Sequence, residues 1–118
     1  MTILESIEEF RAAAIAKDDF ATPASKDHAL HKRMANAFLH IASEGADGCT
    51  AFKELLRDES PHVLGLVAAQ LLSQGDEDAV PVMEQLATEP GIRGFTAGTT
   101  LKEYRAGRLR SPFTTKPA

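Results

Sequence analysis

Apolar residues recur at helical spacing along almost the whole chain. Ile3, Ile7, Phe10 and Ala14 fall on one stripe and set a first helix over about 2–17, with Glu5, Glu8, Glu9 and Arg11 mostly off it. The stretch "DDFATPAS" interrupts this pattern, and Thr22-Pro23 supplies a cap followed by proline at the first helical position. A second helix follows to about 44, with Leu30, Met34, Ala37, Phe38 and Ile41 on its buried face, and Gly45 ends it. A third, over 47–58, carries Phe52, Leu55 and Leu56. Ser60-Pro61 repeats the cap-and-proline signal before a fourth, 62–73. That segment is apolar nearly all round, through Val63, Leu64, Leu66, Val67, Leu71 and Leu72, so it is expected to be buried on most sides. Gly75 stops it; a fifth helix, 78–88, carries Val82, Met83 and Leu86; Pro90-Gly91 breaks the chain before a sixth, 92–108. No segment alternates with period two for long enough to read as a strand. The run "AVPVM" comes nearest, and its flanks are helical.

The helices repeat. A shift of 30 residues lays Ser43-Glu44-Gly45 on Ser73-Gln74-Gly75, Glu54 on Glu84 and Leu56 on Leu86. A shift of 29 lays Val63 on Ile92, Ala68 on Ala97 and Leu72 on Leu101, one residue being lost in the turn. A period near 30 that holds two antiparallel helices marks an α-solenoid, in which each hairpin covers its neighbour's apolar face. The expected architecture is all-α: a short α-α superhelix of about three antiparallel helical hairpins, over about 2–44, 47–74 and 78–108. Residues 1–108 would form one domain, and residues 109–118 a flexible C-terminal tail.

The stretch "LLRDESPHVLGLVAAQLL" resembles a HEAT repeat, with Asp58 near the end of one helix, Pro61 in the turn, and Val63, Ala68 and Leu71 in the next. HEAT repeats usually place Arg after that Val; here Leu64 stands there, though Arg93 follows Ile92 in the next repeat. The chain as a whole is similar to a family of small bacterial HEAT-like proteins that end in a Thr-Leu-x-Glu-aromatic segment before a Gly. Here these are Thr100, Leu101, Glu103, Tyr104 and Gly107. The resemblance implies the fold and carries no settled activity.

Composition narrows the class. With one Tyr, six Phe and no Trp, and with Ala and Leu dominant, the chain favours close-packed helices over a sheet. A single cysteine, Cys49, allows no internal disulfide and suits a reducing compartment. The start "MTILESIEEF" lacks the basic and long apolar regions of a secretory signal, and no apolar run approaches the ~18 residues of a membrane span, so the cytoplasm is the expected location. The net charge of −4 is uneven: from Leu101 onward there are five basic residues and one acid, which leaves −8 on the rest. An acidic body argues against nucleic acid as the main partner.

The candidate chemistry is thin. The stretch "GIRGFTAGTTL" has three residues between Gly94 and Gly98 and Thr99 where a phosphate loop needs Lys, so it is neither a Walker loop nor a dinucleotide fingerprint. Gly91, Gly94 and Gly98 at i, i+3, i+7 instead suit a small-residue face that lets helices approach closely. His28 and His31, with Asp27, have a spacing that metal ligands use, but no Cys pair or HExxH completes a set. A solvated helix start is the plainer reading. Cys49 is expected to be a small buried core residue, and Asp76-Glu77-Asp78 a helix cap. No cofactor, metal or catalytic constellation is assigned.

What remains is surface. In α-solenoids the second helix of each hairpin lines the concave side. In the repeat register that strip holds Asn36, His40, Gln70 and Thr99, the expected partner-binding residues. The expected function is a non-enzymatic protein-binding module, adaptor or immunity-like, that docks a protein or peptide. Alternatives are a small enzyme or metal-dependent sensor built on the His-bearing second helix, and a structural oligomer.

Overall fold

In the computed structural model, which describes residues 2–17 and 24–113, every regular element is helical. Six α-helices are present among these residues: α1 (Ile3–Lys17), α2 (Ala24–Ser43), α3 (Gly45–Lys53), α4 (Pro61–Ser73), α5 (Val80–Ala87) and α6 (Gly91–Arg105). Short 3-10 turns lie at Glu54–Arg57 and Glu77–Ala79. The fold class is all-α, and the "AVPVM" run belongs to the second 3-10 turn and α5. The chain divides into two compact units, Met1–Leu55 and Leu56–Ala118.

In the first unit, Thr2 and Glu5 start α1 by bonding reciprocally. The Thr2 N–H donates to Glu5 Oε1 and the Glu5 N–H donates to Thr2 Oγ1, both at 3.1 Å. This capping box satisfies backbone groups that a helix start leaves open. The Thr2 bonds also hold the Glu5 carboxyl below the usual carboxylate range. The start of α2 at Thr22-Pro23 lies outside the described residues. α1 and α2 run antiparallel, as two cross-links show. Arg33 Nε donates to Glu9 Oε1 at 2.6 Å, and Lys17 Nζ meets Asp27 Oδ2 at 2.8 Å. The stripe expected on α2 is the stripe found: Leu30, Met34, Ala37, Phe38 and Ile41 are all buried. One phenylalanine from each of the three helices meets at the core. Phe52 packs edge-on against Phe10 and Phe38, with centroids 5.2 and 5.1 Å apart, the arrangement that ring quadrupoles favour.

α3 begins two residues earlier than expected. Gly45 takes φ +66°, so the chain turns directly from one helix into the next. Gly48 then lies against the end of α2, where a Cβ would sit 1.9 Å from the Ile41 carbonyl oxygen. The buried position at this turn of α3 is therefore Gly48, and Cys49, expected in the core, is exposed.

The second unit opens with the signal read from the sequence: Ser60 caps α4 by accepting from the Val63 N–H, and Pro61 follows it. None of the 13 residues of α4 is exposed, as its all-round apolar pattern implies. α4 and α6 both end in a Schellman motif. After α4, Gly75 N–H donates to Leu72 O and Asp76 N–H to Leu71 O; after α6, Gly107 N–H donates to Tyr104 O and Arg108 N–H to Glu103 O. Because Gly107 is left-handed at φ +72°, α6 stops at Arg105, three residues short of the expected end. α5 and α6 pack antiparallel, with Arg105 reaching Glu84 at 3.2 Å.

The sequence repeat has a local structural counterpart. Ser43 Oγ donates to the His40 carbonyl and Ser73 Oγ to the Gln70 carbonyl, each at 2.6 Å. Each serine is followed two residues later by a left-handed glycine, Gly45 or Gly75. Beyond this point the copies differ: α3 precedes its 3-10 turn, whereas α5 follows one.

Candidate functional site

The four expected partner-binding residues fall into three environments. Asn36 and His40, one turn apart on α2, lie at the surface of the first unit, exposed and half-buried respectively. Exposed Leu39 stands between them on the same side. Thr99 is exposed on α6, and its hydroxyl donates to the Phe95 carbonyl at 3.0 Å. Gln70 is different. It is 2% exposed, and its amide oxygen accepts a hydrogen bond from the Ser111 hydroxyl. It faces inward because α4 is covered all round, so it does not belong to a surface strip.

The small-residue face of α6 also needs correction. A Cβ on Gly94 would sit 1.7 Å from the Glu89 carbonyl oxygen, in the turn that leads into the same helix. Gly91 serves that turn with φ +80°, and Gly98 has nothing within 4 Å. The glycines shape a turn and an open surface; they do not jointly seat a neighbouring helix. The buried stripe of α6 is Gly94, Ala97 and Leu101. With that stripe so small, the large apolar residues point away from it: Ile92 is 72% exposed and Phe95 is 76% exposed. With Thr99 they stand at i, i+3 and i+7, one face of the helix. Beside them Arg93 is held by Glu89 at 3.7 Å.

The reading of "GIRGFTAGTTL" for its glycines passed over this pair. The signal was available: once Ala97 and Leu101 are assigned inward, the spacing sends Ile92 and Phe95 outward. Chemically the face offers apolar area and threonine hydroxyls, with a carboxylate-paired guanidinium beside it. That set suits contact with another apolar surface.

The remaining candidates are placed as follows. His28 is exposed and His31 half-buried on α2, and Asp27 pairs with Lys17. Among the described residues, no three His, Cys, Asp or Glu side chains come together as a metal ion would require. Asp76 caps the 3-10 turn by accepting from the Asp78 N–H at 3.1 Å. Of the stretch 109–118, expected as a flexible tail, residues 109–113 are described: Arg110 is exposed, Leu109, Ser111 and Pro112 are half-buried, and Phe113 is buried. Residues 114–118 lie outside the described residues.

Compared with known proteins, the chain matches no family model, no curated protein and no solved structure.

Proposed function

We propose that this chain is a non-enzymatic protein-binding module of stacked helical hairpins in the HEAT manner, an adaptor or immunity-like protein of a reducing compartment. The observation that carries the reading is the outward pair Ile92 and Phe95 on α6. Single exposed apolar residues are ordinary, but a large aromatic and a β-branched residue set one turn apart, both more than two-thirds exposed, form the kind of anchor that interfaces bury. Thr99, one of the residues expected from the repeat register, extends that face by one more turn. The stacked arrangement is supported by the shared Ser-x-Gly turn at Ser43–Gly45 and Ser73–Gly75. The compartment is supported by the single cysteine. No helix among the described residues is long and apolar enough to cross a membrane.

The test is a comparison of two baits in extracts of the native cell: the intact protein, and a variant carrying Ile92→Asp and Phe95→Asp. A protein retained by the first bait and lost by the second, and then bound directly when purified, is the expected result. A partner held equally by both baits overturns the site. No specific partner under conditions in which the protein is made overturns the function.

A further inference from the structure

Gln70 is buried in a helix whose other buried residues are Val63, Val67, Ala68, Leu71 and Leu72. An amide in such surroundings is costly unless its polar atoms are bonded. Its oxygen is satisfied from far along the chain by the Ser111 hydroxyl. The same hydroxyl oxygen accepts from the Phe113 N–H at 3.2 Å. Phe113 itself is 7% exposed.

Ser111-Pro112-Phe113 is therefore held as a short peptide ligand is held. A hydroxyl is read by a buried amide, a proline limits the backbone between, and an aromatic ring is taken out of water. The segment belongs to no helix. It follows the left-handed Gly107 and the exposed pair of Arg108 with Glu103, at 3.0 Å. A short segment outside any helix opens locally at low free energy compared with global unfolding.

We propose that the seat around Gln70 is a peptide-recognition site, closed in cis by Ser111-Pro112-Phe113. When this segment lifts, the seat takes a segment of the same chemistry and the same turn in trans: a hydroxyl residue, a proline, then an aromatic. The segment thus acts as a built-in competitor that sets how much of the seat is open.

The probe is a labelled synthetic peptide with the sequence of residues 108–113, titrated against two full-length proteins. One is the unaltered chain; the other carries Ser111→Ala and Phe113→Ala, which weaken the cis segment. The altered chain should bind the peptide at least about tenfold more tightly than the unaltered chain, because a tethered competitor acts at an effective concentration of about millimolar. Adding Gln70→Leu to the altered chain should weaken peptide binding by about tenfold, the loss expected when one buried hydrogen bond is removed. A peptide with Ala in place of its Phe should not bind. Equal binding by both chains, or no binding by an altered chain that keeps its helical circular dichroism, overturns the proposal. If the altered chain does not fold, the unaltered protein still decides. Peptide added at several times the ~millimolar effective concentration should speed hydrogen exchange at the Phe113 amide, and unchanged exchange overturns the proposal.

Discussion

Gly94 and Gly98 are four residues apart on one helix and answer to opposite constraints. A methyl group at Gly94 would collide with a backbone carbonyl, which cannot move aside as a side-chain end can. Gly94→Ala should therefore cost about 2 kcal/mol or more, from strain in the turn. Gly98→Ala meets nothing within 4 Å, and should stabilise by roughly 0.5–1 kcal/mol through lower unfolded-state entropy. Urea unfolding of the two variants checks both signs, and equal effects would sink this account of the glycines. Thr2→Ala removes half of the capping box and should cost about 1 kcal/mol in the same assay. The sequence shows three glycines at helical spacing but not which of them meets a carbonyl. That depends on how the turn after Leu86 folds back, which no side-chain pattern encodes. Cys49 was misjudged for a related reason: its neighbour Gly48 has no apolar side chain to mark it as the buried position.

The pairing of α1 with α2 is fastened at the surface by charge and beneath it by the phenylalanines. Arg33 donates to Glu9 and holds its carboxyl below the usual carboxylate range. A carboxylate whose folded pKa is lowered adds stability that is present above its unfolded pKa. That stability fades as pH falls through the lower folded value. Glu9→Gln should thus be less stable than the unaltered chain near neutrality, and the gap should close in acid. Both groups face solvent, so the gap should be no more than ~0.2–1 kcal/mol. Urea midpoints of the two proteins across an acid series give the measurement; a gap that grows in acid refutes the assignment. Helices as elements were legible because the apolar stripes of α1 and α2 and the cap at Ser60-Pro61 are strong local signals. Their ends were less so. α6 was expected to reach residue 108, whereas Gly107 is left-handed and ends it before that.

For the molecule as a whole, the acidic body and the apolar α6 face imply different kinds of complex. A complex anchored by Ile92 and Phe95 should weaken little as salt rises, whereas one held by the acidic body should weaken steeply. Measuring the dissociation constant of the captured partner at low and high salt separates them, and the first outcome is expected. The all-helical class was written in the sequence in every segment. Of the residues that the repeat register put on one strip, Thr99 is exposed and Gln70 is buried. Its true partner, Ser111, lies 41 residues away, beyond the reach of any local pattern. The exposed Cys49 has one last consequence. The chain's single thiol lies in the first compact unit, and its single tyrosine, Tyr104, lies in the second. A fluorophore coupled to the thiol and the native phenol emission, with no tryptophan to mask it, give each half of the molecule its own optical reporter. Melting can then be followed in both halves of one unmutated sample, and the two curves compared directly.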